Sequence, residues 1–327
     1  MERMYCTLAE LIDDLQLRGV ASEEQAMRFV RAASQFIEGE IGQFLPSVET
    51  RRYEGDGSDL LLVHPLLEVS QIINGGMALS SGGYWLEPPG RMWRNGPYGM
   101  IAGNWWSTER QSVQISGKWG LYEEKTALMV SLTMNAGDGT VSVTNGSLLS
   151  PGMILQIEDE YLAVTGSGSW SNSGATLASG CAESDEELSL SDGTKVAAGE
   201  TIRIDYEMMR VIEVQGNKAL VRRGWNESRI ASHLAAAAVM AMRSYQVNRG
   251  VGGTMPAAHT AAVVYRLIPP EDVNYLCRQI AALMIKKAQT GYVGRSGNDD
   301  LGTGFWINEF PKNQIDAVKA HYFWGGR

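Results

Sequence analysis

Four histidines are all that this chain offers as imidazole bases or metal ligands: His64, His233, His259 and His321. None lies in an HExxH pair or beside a cysteine pair, the spacings that gather ligands around zinc. Cys6, Cys181 and Cys277 stand far apart, which supports neither a zinc site nor a disulfide framework. Buried thiols in a reducing compartment are expected. No Gly-x-Ser-x-Gly elbow presents a nucleophilic serine. The glycine-rich stretches lack the strand, helix and Gly-Lys-Ser/Thr with which a loop cradles phosphate. Two acidic runs, Glu158-Asp159-Glu160 and Asp185-Glu186-Glu187, do not have the spacing of a calcium loop and are expected to be solvated faces. The sequence predicts no enzyme, no catalytic residue, no cofactor and no metal.

Repetition is the stronger signal. "PGMILQIEDEYLAV" aligns without a gap on "AGETIRIDYEMMRV", pairing Gly152 with Gly199, Ile157 with Ile204, Glu160 with Glu207 and Val164 with Val211, always 47 positions apart. "VRRGWNESRIASH" aligns on "VNRGVGGTMPAAH", pairing Arg223-Gly224 with Arg249-Gly250, Ser228 with Thr254, Ala231 with Ala257 and His233 with His259, always 26 apart. Repeated strand-turn units extend a β scaffold and point to structure rather than a unique active site. Glu160 and Glu207 are expected to share a structural role. For His233 and His259 the expectation is a turn-capping or surface role, with a paired site as the alternative.

The elements follow from periodicity. Thr7 with Glu10 predicts a capping box, followed by Leu8, Leu11, Ile12 and Leu15 on one helix face and Gly19 as the stop. Ser22 with Gln25 predicts a second box, and Ala26, Phe29, Val30, Ala33, Ile37, Ile41 and Phe44 continue at helical spacing to Pro46. Two short strands are expected around Gly55-Asp56-Gly57, with others in "LLEVSQIINGG" and "RQSVQISGKWG" and a long loop from Gly82 to Trp106. Residues 125–265 are rich in Gly, Ser, Thr and Ala, with turn signals at Asp138-Gly139, Gly166 to Gly168, Asp192-Gly193 and Gly216-Asn217, the profile of an all-β module. Pro269-Pro270 open a helix carrying Val273, Leu276, Cys277, Ile280, Leu283 and Met284, and Pro311 opens a short terminal one with Ile315, Val318 and Tyr322. The fold class expected is α+β: an α-helical core with short β-strands, residues 1–124 and 266–327, interrupted by an inserted β-rich domain with internal repeats, residues 125–265.

With 44% hydrophobic and 20% charged residues the chain has an ordinary globular composition. Its net charge of -9 lacks the basic footprint of a nucleic-acid binder. The apolar stretches are too short to span a membrane, and the acidic residues within the first seventeen argue against a secretory signal. Nine tryptophans, among them Trp85, Trp93, Trp105 and Trp106, suit a subunit interface, where the residue is enriched. Sugar stacking in a carbohydrate-binding tail or surface module is the rival use.

"RFVRAASQFIEGEIGQFLP" followed by "ETRRYEGDGSDLLLVHPLLEVSQIIN" resembles the opening of the head-to-tail connector (neck adaptor, head completion) proteins of tailed bacteriophages. The matching features are Ala33-Ser34, Ile37-Glu38, Arg52-Tyr53, Gly55 to Gly57, and Leu60 to Pro65. "PPEDVNYLCRQIAALMIKKAQTGY" and "PKNQIDAVKAHYF" resemble the family's later helix and terminal segment. The likeness covers about residues 22–122 and 266–325; the 125–265 segment departs from it. The resemblance implies a homo-oligomeric ring, usually a dodecamer, docked under the portal protein in the virion neck. Its subunits would be made in the host cytoplasm, contact the next neck or tail-completion protein, and pass DNA without specific binding. The terminal segment would clasp the portal, here through Phe305, Trp306, Phe310, Ile315, Tyr322, Phe323 and Trp324, ordering as it binds. A channel that must let DNA slide is expected to be acidic or neutral, with Glu23 and Glu24 as candidate lining residues.

Overall fold

The computed structural model describes residues 3–15, 23–87, 99–103, 105–289, 295–296, 305–306 and 311–323. The chain is mostly β, 41% strand against 22% helix. The expected α+β fold on an α-helical connector core is therefore corrected: among the described residues no helical connector core is visible.

The reason lies in where the helical stripes point. The helices are α1 (Leu8–Leu15), α2 (Glu23–Glu40), α3 (Glu271–Gln289) and α4 (Lys312–Phe323). The first capping box forms: Thr7 N–H donates to Glu10 Oε2 at 2.8 Å and Glu10 N–H to Thr7 Oγ1 at 3.2 Å. Gly19 and Ser22 lie outside the described residues. α2 buries Ala26, Met27, Val30, Ala33 and Ile37, and α3 buries Val273, Leu276, Cys277 and Ile280. These faces meet, but Ile154, Tyr161, Ala163, Trp225 and Leu267 of the β region complete the same apolar cluster. The helices cover one flank of a β structure.

Residues 47–119 form a small two-sheet unit. Its strands are β1 (Ser47–Tyr53), β2 (Leu60–Val63), β3 (Leu66–Asn74), β4 (Met77–Ala78), β5 (Trp85–Glu87), β6 (Gly99–Ala102) and β7 (Val113–Trp119). One sheet has the order β1-β7-β3-β4 and the other β2-β6-β5. They enclose Leu61, Val63, Leu66, Ile72, Ile101, Trp106, Ile115 and Trp119. β1 and β2 flank Gly55 to Gly57 as expected but enter different sheets. β5 and β6 occupy the stretch expected to be loop, because strands of three or four residues are too short to show a period.

The next region holds two modules, one inside the other. The proximal module comprises β8 (Lys125–Met134), β9 (Thr140–Ser142), β10 (Ile154–Ile157) and β11 (Glu160–Ser167). The distal module intervenes: β12 (Trp170–Thr176), β13 (Glu187–Ser189), β14 (Thr201–Ile204), β15 (Glu207–Gln215), β16 (Lys218–Arg222) and β17 (Ala238–Met242). The proximal module then resumes with β18 (Ser244–Val251) and β19 (His259–Leu267). The proximal sheet runs β8-β19-β10-β11-β18-β9 and the distal sheet β12-β17-β14-β15-β16-β13. Substituting equivalents strand for strand, the two orders are the same. What is a tight turn at Gly216-Asn217 in the distal module is, in the proximal one, the opening into which the whole distal module is inserted.

Close packing repeats as well. A Cβ on Gly146 would stand 2.0 Å from Met242 O, and one on the equivalent Gly193 1.9 Å from Gly216 O, so both sites require glycine. Glu200 locks the junction: it is fully buried and accepts from Gly146 N–H at 2.7 Å, Ala197 N–H at 2.9 Å and Arg243 Nε at 2.8 Å. Two short strands, β20 (Arg295–Ser296) and β21 (Phe305–Trp306), pair near the end of the chain.

Candidate functional site

The echoed residues converge on two buried polar clusters with the same wiring. In the proximal module Arg249 Nε and Nη2 each reach a Glu160 carboxylate oxygen at 2.6 Å. Gly250 N–H and Ala257 N–H donate to the same carboxylate at 3.1 and 3.0 Å, and His259 Nε2 lies 2.9 Å from it. In the distal module Arg223 grips Glu207 at 2.7 Å twice. Gly224 and Ala231 N–H donate at 3.1 and 3.0 Å, and His233 Nε2 lies at 3.0 Å. The second ring nitrogen faces Glu158 at 2.9 Å or Asp205 at 2.7 Å. Each arginine also donates through Nη1 to two carbonyls of the turn after the module's first strand, Asn135 and Asp138 or Ala182 and Asp185. One brace thus ties three separate turns of each module.

Local backbone explains the positions. Glu158 and Asp205 adopt the left-handed conformation, both at φ 51°, in the turns that open β11 and β15. Those turns bring each histidine between an outer and an inner acid. Glu160, Glu207, His233 and His259 are buried, which corrects the expectation of a solvated Glu160 and of surface histidines. The acidic run is split: Glu158 remains exposed while Glu160 points in.

Burial would raise the Glu160 and Glu207 carboxyls. The arginine fork, the two amides and the histidine outweigh it and hold both at about 2. The carboxylates push Arg249 and Arg223 up in turn. Both ring nitrogens of His233 and His259 face carboxylate oxygens. The arrangement stabilises the modules. A carboxyl depressed in the folded state contributes stability above its ordinary value near 4.5, and that contribution is lost as pH falls toward about 2. An acid titration followed by circular dichroism is therefore expected to show loss of β structure below about pH 4. Glu160→Gln with Glu207→Gln should shrink that acid-dependent loss. A wild-type titration flat to pH 2 would contradict the account.

The terminal residues are placed differently from one another. Ile315 is buried. Tyr322 packs edge-on against Phe44 at 4.9 Å and donates to Asp272 Oδ1 at 3.0 Å; burial, with Asp272, pushes its phenol up. Lys319 pairs with Glu40 at 2.7 Å. α4 is thereby docked on its own chain. Phe305 and Trp306 lie in β21, Phe323 ends α4, and Phe310 and Trp324 fall outside the described residues. Glu24 is exposed and paired with Arg28, but Glu23 turns inward to Trp225, which removes it from the candidate channel residues. Trp106 is core, whereas Trp105 is 75% exposed and Trp85 also projects; Trp93 lies outside the described residues. Tyr206, Leu234, Met77 and Met255 are exposed as well.

Among the described residues no group of three metal-ligating side chains converges, and no helix is long and apolar enough to cross a membrane. No family model, no curated protein and no solved structure matches this chain.

Proposed function

We propose that this chain is a structural virion subunit: a ring-forming head-to-tail connector that docks under a phage portal and continues the DNA channel toward the tail. The observation that carries the reading is the contrast between inside and outside. The echoed charged clusters are closed and fully partnered. Large apolar side chains instead project from separate parts of the surface: Met77, Trp85 and Trp105 on the small β unit, Tyr206 and Leu234 on the distal module. Exposed aromatic and aliphatic anchors of this size suit protein contacts, and their separation suits a subunit with more than one neighbour. The order of the motifs that resemble connector proteins supplies the portal as partner.

Electron microscopy of the purified protein, alone and mixed with portal, tests this. Rings alone or on portal are expected, and their absence in both samples would refute the proposal. Because Ile315 and Val318 are buried, truncation after Gly304 would strip an apolar face. Ala317→Glu, at an exposed α4 position, is the cleaner probe and is expected to weaken portal docking with the fold intact. The exposed rings of Trp85 and Trp105 favour the second reading, a carbohydrate-binding module. Saturable glycan binding without ring formation would select it.

A further inference from the structure

The two modules present an equivalent turn to the two ends of one segment. In the proximal module Gly252 O accepts the Val48 N–H at 2.6 Å, just beyond α2. A Cβ on the neighbouring Gly253 would stand 1.8 Å from Val48 O, so this contact is backbone on backbone. In the distal module the equivalent residue is Asn226, 26 positions earlier. Its Oδ1 accepts the N–H of Glu23, the first residue of α2, at 3.2 Å. The preceding Trp225 donates its indole N–H to Glu23 Oε1, also at 3.2 Å. The same turn that makes a backbone seat for β1, beyond α2, makes a side-chain contact around a carboxyl at the start of α2.

We propose that the Trp225–Asn226 turn is a releasable latch on the first turn of α2, able to let go while both modules stay folded. Glu200 fixes the junction between the modules, so the moving part is the start of the helix, whose later part packs on α3 and leads to Val48 in β1. Opening must draw the buried Trp225 ring from the apolar cluster it shares with α2, but the polar contacts resist it little. The two hydrogen bonds of the latch are long, and beside it lies a cleft of about 280 Å³, lined in part by Ile12, Leu149, Trp170, Met208 and Met242. Side chains along that open cleft lack close-packed protein neighbours on one side, and with them part of the dispersion contact that would hold the helix in place.

Electrostatics sets the direction of the response. Burial raises the Glu23 carboxyl, and the indole N–H and Arg210 offset this only in part. The charged and titratable groups around it are Arg210 on β15, whose guanidinium lies 5.7 Å from the Trp225 ring centroid, Arg222 on β16 at 5.9 Å from that ring, and Tyr245 on β18. α1 contributes Leu8, Ala9 and Ile12 to the cleft. A carboxyl raised in the closed state favours closure while protonated, and that advantage is lost as pH rises through its closed-state value. The latch is tightest in mild acid and loosens toward alkaline pH. That response is opposite in sign to the braces, which weaken only as pH falls below about 4.5.

The full chain with spin labels at Glu24→Cys and Arg229→Cys reads the latch directly; Cys6, Cys181 and Cys277 are buried. One short distance is expected at pH 5, with a second, longer distance gaining population at pH 8. Glu23→Gln, which keeps the acceptor and removes the charge, should hold the short distance at both. Trp225→Phe, which keeps the ring and removes the donor, should increase the longer population at pH 8. A single unchanged distance at both pH values in the labelled parent and in Trp225→Phe would overturn the proposal. So would a pH response that Glu23→Gln leaves intact.

Discussion

Glu160→Ala is expected to cost roughly 3–5 kcal/mol, because it leaves Arg249 and His259 buried without the carboxylate that neutralises them. That is a large part of the stability of an ordinary domain. Arg249 would also lose what orients its bonds to Asn135 and Asp138, so the turn before β9 should loosen with the β11–β18 hairpin. Glu207→Ala is expected to do the same in the distal module. The outer acids make the internal control: Glu158→Ala and Asp205→Ala remove exposed carboxylates and should cost under about 1 kcal/mol. Urea unfolding of the four variants decides the matter. Equal midpoints for Glu160→Ala and Glu158→Ala would show that the inner brace is not what holds the module.

Excising the distal module is expected to leave a folded protein. Removing residues 169–243 and joining Gly168 to Ser244 through a Gly-Asn pair recreates the turn that Gly216-Asn217 makes between Gln215 and Lys218. Gly168 N–H already donates to Ser244 O at 2.8 Å, so the ends are in place for a two-residue connection. The shortened chain loses the Trp225 contact and the Glu200 junction but keeps the Glu160 brace and the helical flank. Retained near-ultraviolet dichroism and slow amide exchange in β10, β11 and β19 are expected. A molten or unfolded product would mean that the distal module is integral to the proximal core.

Much of this was legible in residues and much was not. The Thr7–Glu10 box was visible because both halves of the reciprocal bond lie within four residues. The repeat was visible because identical residues recur at fixed offsets. The nesting was not, since the two echoes carry different offsets, and a hairpin opened by an insertion leaves no local mark. The helical flank does not show in sequence what it packs on: an amphipathic stripe shows that a face is buried, not against what, and here Ile154, Tyr161 and Leu267 take the place of further helices. The braces were half visible. Arg223, Arg249, Glu160, Glu207 and both histidines were singled out by repetition, yet a glutamate among acidic neighbours reads as solvated until its arginine, 89 positions away, is brought to it. The latch had no sequence signal: Glu23 and Trp225 are 202 positions apart, and the echo that contains Trp225 sets Val251 opposite it, so nothing marks the indole as a donor.

The nested insertion dictates an order of events when the chain folds. The distal module is continuous in sequence and can close alone. The proximal module cannot: β10 and β11 must wait for β18 and β19, which follow only after the whole distal module. If the distal module is unfolded, closing that gap costs a loop-closure entropy of about 3 kcal/mol relative to a two-residue turn. Once it has folded, the pairing of β12 with β17 delivers both ends to the junction already adjacent. During synthesis the inner copy is therefore expected to form first and to template the outer, with β10 and β11 paired only to each other and their outer edges exposed until the last segment emerges.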